Sequence, residues 1–148
     1  MESKQLNIRL EHLKAVCQKA GMRVTHQRLE IFREVAMTEK HPNAEQVFRG
    51  VRNRLPTVSL DTVYRTLWML VDLGLITTMN PGRRRARFDA NLDQHHHFVC
   101  TRCGYTRDFY SEAFNTLSLP ETVEALGDAH QTQVEVRGLC HECRKNET

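Results

Sequence analysis

Four of the five cysteines in this chain stand as two CxxC pairs, Cys100/Cys103 and Cys140/Cys143, with 36 residues between the pairs. A CxxC turn presents two thiolates together, and two such turns can set four sulfurs tetrahedrally around one Zn2+ at roughly 2.3 Å. Two disulfides are the competing reading, but they need an oxidising compartment. The first ten residues, charged at Glu2, Lys4 and Arg9, hold no apolar core of a secretion signal. A redox CxxC would need one pair and a βαβ setting. The pattern predicts a structural zinc. With no run of the ~20 apolar residues that a membrane span needs, it predicts a cytoplasmic chain with no membrane partner.

Cys17 lies apart from the pairs. It shares spacings of three and four with Leu6, Leu10, Leu13 and Ala20, one stripe of an amphipathic helix, and reads as a small buried hydrophobe. A second helix follows Thr25 as N-cap, with Leu29, Phe32 and Val35 inward. Asn43 and Gln46 have the spacing of a capping box for a third, whose stripe is Ala44, Val47, Phe48, Val51 and Leu55 before Pro56. Ser59 caps a fourth, with Asp61 in its first turn and Leu60, Val63, Leu67, Leu70 and Val71 on one side. Thr62, Arg65 and Met69 then face away, with Tyr64 and Trp68 on the flank.

Charge separates the chain in two. Through Phe88 there are sixteen Lys and Arg against eight Asp and Glu, a net +8; from Asp89 onward there are five against ten, a net −5. A basic half suits a nucleic-acid surface. Leu75 to Phe88 is β-like on both sides of Asn80-Pro81-Gly82, a hairpin whose turn is followed by Arg83, Arg84, Arg85 and Arg87. Helices followed by a basic hairpin predict a winged helix-turn-helix. Tyr64, Arg65 and Thr62 on the fourth helix then face the major groove, and the wing arginines hold phosphates.

The remainder predicts strands at His95–Val99, Tyr105–Tyr110 and Val134–Gly138, with a helix at Leu119–Leu126. The fold class is therefore α+β: a winged-helix domain at 1–84, a hinge at 85–90, and a small α/β domain at 91–148 that needs its four-cysteine zinc site to be stable. On a strand, His95 and His97 share one face and His96 takes the other. Asp108 comes alongside if the Cys100–Cys103 knuckle folds its strand back. With Asp89 these make an imidazole–carboxylate set suited to Fe2+, Mn2+ or Zn2+ and distinct from the thiolates.

Taken together, GMRVTHQRLEIF, KHPNAEQVF, VSLDTVYRTLWML with GLI behind it, RFDANLDQHHHFVCTRCG and GLCHEC resemble the ferric uptake regulator family, in the family's order and along nearly the whole chain. The resemblance implies a homodimer that reads a palindromic double-stranded DNA operator and dimerises through its C-terminal domain. By position it implies structural zinc on Cys100, Cys103, Cys140 and Cys143. It adds His41 to Asp89, His95, His97 and Asp108 as regulatory ligands, and makes Tyr64 and Arg65 DNA contacts.

Aspartate at both 89 and 108 is more similar to the family's peroxide-sensing branch than to its iron-uptake branch. That branch implies regulatory Fe2+ or Mn2+, with Zn2+ as a substitute, and oxidation of a ligand histidine, His41 or His95, that releases the repressor from DNA. Departures include His26 where proline is common, Trp68 where asparagine is usual, a shortened segment before Val134, and His130 displaced beside Gln131 and Thr132. The expectation is a metal-dependent repressor and not an enzyme. An iron- or zinc-availability repressor is the first alternative. A metal-dependent hydrolase is the remote one, for which no dedicated general base or substrate-cradling loop is apparent.

Overall fold

In the computed structural model, which describes residues 3–79 and 86–146, the chain divides into two units, Met1–Leu92 and Asp93–Thr148. The first is built on α1 (Ser3–Lys19), α2 (His26–Ala36), α3 (Ala44–Arg52) and α4 (Leu60–Asp72). Each of the last three starts where a short polar side chain accepts an N–H that the helix itself leaves unbonded. Thr25 takes that of Arg28, Ser59 that of Thr62, and Asn43 forms a reciprocal capping box with Gln46.

In α1, Leu6, Leu13 and Cys17 are buried as the spacing predicts. Ala20 is exposed, because the helix has ended at Lys19 and the chain turns through Gly21. In α4 the buried residues are Val63, Thr66, Leu67 and Leu70, with Leu60 and Val71 only half-buried. The stripe is thus one position narrower at each end than expected and admits a threonine at its centre. Met69, expected to face away, is half-buried against the same core.

Beyond Gly74, β1 (Thr77–Met79) pairs antiparallel with β2 (Arg87–Asp89), matching Thr77 with Asp89 and Met79 with Arg87. Residues 87–89, placed in the hinge from the sequence, are thus the second strand of the hairpin. Phe88 is fully buried and meets Trp68 edge to face at 5.5 Å. The expected turn at Asn80, Pro81 and Gly82 and the wing arginines Arg83, Arg84 and Arg85 lie outside the described residues.

The second unit is a three-stranded sheet of β3 (His96–Cys100), β4 (Thr106–Phe109) and β5 (Glu135–Gly138), in the order β4-β3-β5. β3 runs antiparallel to β4 and parallel to β5. Three short helices accompany it: α5 (Glu112–Asn115), α6 (Glu121–Glu124) and α7 (His141–Lys145). The helix expected over Leu119–Leu126 is reduced to the single turn of α6. Pro120 stands at its N-cap with no side-chain hydrogen bond, Gly127 at φ 156° follows it, and Leu126 is 87% exposed. A segment this short gains little from helix formation without a buried face. The architecture is α+β, a winged helix-turn-helix joined to a small α/β unit that carries the two CxxC pairs.

Candidate metal centres

Cys100 ends β3, and the chain reverses immediately after it. Gly104 donates its N–H to the Cys100 carbonyl at 3.0 Å and adopts φ 78°, while Cys100 donates to the Tyr105 carbonyl at 2.8 Å. This knuckle presents Cys103, whose sulfur accepts the Tyr105 N–H at 3.4 Å. Thr101 donates to the Gly138 carbonyl at 2.9 Å, tying the knuckle to the end of β5. Two residues later Cys140 caps α7, which carries Cys143. The four Sγ atoms all lie within 4.8 Å of one another.

Cys103 and Cys140 are 3.7 Å apart; a tetrahedron with Zn–S bonds near 2.3 Å has edges of about 3.8 Å. None of the five cysteines is in a disulfide. The backbone N–H groups of Cys103 and Cys140 hold the Cys100 thiol down at about 6, which favours the thiolate. Desolvation and the neighbouring sulfurs push Cys143 up to about 12. Four crowded thiols of which one ionises readily and one resists suit a dication that replaces the protons.

The imidazole–carboxylate residues are presented by both units. In the first, His41 adopts φ 53°, a left-handed conformation that costs a non-glycine residue roughly 1–2 kcal/mol. Arg87 meets this cost through Nε, which donates to the His41 carbonyl at 2.8 Å, and Nη2, which donates to the Lys40 carbonyl at 2.6 Å. His41 Nε2 lies 3.2 Å from Asp89 Oδ2, and both side chains are buried. Asp89 Oδ1 accepts the Asn91 N–H at 2.9 Å, which leaves the other oxygen directed at the imidazole.

In the second unit, His97 pairs with Asp108 across β3 and β4. Its Nε2 lies 3.3 Å from Asp108 Oδ1, and His95 Nε2 lies 3.7 Å from the same oxygen. His95 directs Nδ1 at the Asp93 carbonyl, which turns Nε2 toward the carboxylate. His96 points away: its Nδ1 accepts the Val134 N–H at 3.0 Å, so Nε2 carries the proton and donates to Asn115 Oδ1 at 2.8 Å. Phe109 and Phe114 each pack on its ring at 5.6 Å. The middle histidine is a structural residue, as strand alternation predicts. Its partners Asn115 and Val134, 19 and 38 residues further on, carry no sequence signal of the contact.

On α4, Arg65 is exposed and paired with Asp61 at 2.9 Å, an exposed ion pair of the kind worth ~1 kcal/mol or less and readily exchanged for another partner. Tyr64 is half-buried. Thr62 is held at the start of the helix by Ser59, whose hydroxyl donates to it at 2.9 Å. Thr62 and Arg65 line a groove of ≈ 480 Å³ that Thr25 and Arg28 from the start of α2 complete. Arg87, counted with the wing cations from sequence, points inward to the backbone at Lys40 and His41 instead. An arginine run in sequence does not show which member the fold turns inward.

Residues 19–135 match the model of the ferric uptake regulator family. This chain belongs to that family. It is similar to the peroxide-responsive repressor PerR of Staphylococcus epidermidis strain ATCC 12228, at 30% identity over 145 residues, covering 97% of this chain and 96% of that protein. The solved ferric uptake regulator of Helicobacter pylori shares its fold with a TM-score of 0.74 at 21% identity, over 97% of this chain and 96% of the other. A zinc uptake regulator complexed with zinc and DNA superposes with a TM-score of 0.66 at 22% identity, over 96% and 97%.

Proposed function

We propose that this chain is a homodimeric, metal-dependent transcriptional repressor that binds a palindromic DNA operator and is released from it by peroxide. The observation that carries the reading is the buried His41–Asp89 pair, 3.2 Å apart, in the unit that also bears α4. A buried imidazole and carboxylate contribute nothing to groove contact, yet they are donors for Fe2+, Mn2+ or Zn2+. The same donor types recur in His95, His97 and Asp108. All five act together as the regulatory ligand set, while Cys100, Cys103, Cys140 and Cys143 hold a structural zinc.

Drawing ligands from both units lets metal availability set the spacing of the two α4 helices in a dimer. Operator half-sites lie about one helical turn, or a multiple, apart, so that spacing governs binding. Shifting a population from 1:99 to 99:1 takes roughly 5.5 kcal/mol of preferential binding. An arrangement without His41 and Asp89 would forfeit two of the five donors. Arg65, Tyr64 and Thr62 would meet base edges, and Arg83, Arg84 and Arg85 the phosphates.

Fe2+ in this set would supply the reduction of peroxide beside the imidazoles, with His41 and His95 as the oxidised side chains. Aspartate at 89 and 108 and the similarity to a peroxide-responsive repressor support this choice within the family. The proteins this chain is similar to are regulators, which supports a binding function over catalysis.

Two measurements test the reading. His41→Ala is expected to remain a folded, zinc-containing dimer whose operator binding no longer responds to Fe2+ or Mn2+; an undiminished response sinks the five-ligand set. Peroxide treatment of the Fe2+ form, but not of the Mn2+ form, should add one oxygen to the peptides containing His41 or His95 and abolish DNA binding. Unmodified peptides with DNA binding retained would make the chain an iron- or zinc-availability repressor.

A further inference from the structure

We infer that Arg87 is a positioning residue for the metal-binding imidazole of His41, fixing its backbone from the strand that leaves the wing. The inference rests on the reading of His41 as a ligand. Its geometry lies entirely within the first unit.

The two carbonyls that Arg87 holds, those of Lys40 and His41, belong to the peptide planes on either side of the His41 Cα. The orientations of those planes define φ and ψ of His41, so one planar guanidinium fork fixes both dihedrals. That matters most at a non-glycine residue with φ 53°, where the relaxed backbone lies elsewhere. The direction of the Cα–Cβ bond, and hence the reach of the imidazole, follows from those two angles.

The rest of the contact is consistent with a built support. Phe88 donates its N–H to the Pro42 carbonyl at 2.9 Å, and Asn43 bridges to Arg87 in antiparallel fashion. The loop around His41 is thereby stitched to β2 on both sides of Pro42. Arg87 and Asp89 alternate on that strand and share a face. One sets the backbone of His41, and the other meets its Nε2 at 3.2 Å. The Arg87 side chain is half-buried. A side chain placed to hold phosphate would keep its hydration.

Lysine at this position keeps the charge but offers a single ammonium, which does not reproduce a fork across two carbonyls. The test is a double-mutant cycle on the full-length, zinc-loaded protein, titrated with Mn2+ and read by the loss of the free-ion electron paramagnetic resonance signal. Arg87→Lys is expected to weaken Mn2+ binding roughly tenfold, the low end for partners that orient a ligand. His41→Ala should weaken it at least as much. The double variant should bind no more weakly than His41→Ala alone, because Arg87 acts through the residue already removed.

Wild-type Mn2+ affinity in Arg87→Lys overturns the inference and spares the ligand reading. So do losses that add in the double variant, since Arg87 would then act by another route. Wild-type affinity in His41→Ala overturns both. Should Arg87→Lys fail to fold, Arg87→Gln, which keeps an amide donor for one carbonyl, enters the same cycle with the same outcomes.

Discussion

The two units bury opposite kinds of side chain. In the first, every long helix contributes apolar residues to one cluster, among them Leu13, Ile31, Phe32, Val51, Leu67 and Leu70. In the second, the only apolar residue buried to that degree among the described residues is Cys100, and the others are His95, His96, His97 and Thr106. The first unit is held by removing hydrocarbon from water. The second keeps imidazoles dry, which is favourable only when each ring nitrogen has a partner. His96 has its own in Asn115 and Val134, His95 directs Nδ1 at the Asp93 carbonyl, and in our reading Nε2 of His95 and of His97 binds metal. A small domain without a sufficient core commonly depends on a staple, here the structural zinc that we assign to the four cysteines.

Breaking the staple should separate the units most widely. Cys140→Ser, or a strong zinc chelator, is expected to unfold the second unit while the first retains its helices and a cooperative melt. Circular dichroism and residue-resolved NMR of the same sample would show it, and a single joint transition would mean that zinc holds both. The converse change is smaller. Leu67→Ala empties a fully buried position in the first unit and should lower its stability by about 2–5 kcal/mol in denaturant titration. Bound zinc should stay at the wild-type amount; zinc loss would show that the two cores are not independent.

Acid should sharpen the contrast more gently. Zinc needs thiolates, so falling pH weakens binding throughout, with Cys143, pushed up to about 12, giving up a proton at any working pH. Cys100 is held down at about 6, so it is already ionised above that pH and adds its own proton competition only below it. The slope of zinc affinity against pH should therefore steepen below about 6, by at most about tenfold per pH unit from this one thiol. An unchanged slope from neutral pH to well below that value would show that Cys100 is not held down at about 6.

Helix starts, the hairpin strands and the two CxxC pairs that the fold gathers were legible from residue order, because each rests on neighbours a few positions apart. Thr25, Asn43 and Ser59 cap as their spacing predicts, and His95 and His97 part from His96 by strand alternation. The short α6 was not, since the Leu119–Leu126 pattern looks helical whether or not anything exists to bury its apolar side. Nor was the part played by Arg87. The arginines at 83, 84, 85 and 87 look alike in the sequence, and only the fold shows Arg87 turned to the backbone of Lys40 and His41.

Local chemistry in the chain thus determined which groups can bind zinc, where the first four helices lie, and that His97 and His96 take opposite faces of β3. Only the tertiary structure decided that His41 sits in a left-handed turn, directed at Asp89 and clamped by an arginine 46 residues along the chain. The reason is that hydrogen bonds between distant segments depend on packing that no local periodicity encodes. A guanidinium has the same donors wherever it stands, and the fold alone selects the carbonyls they meet.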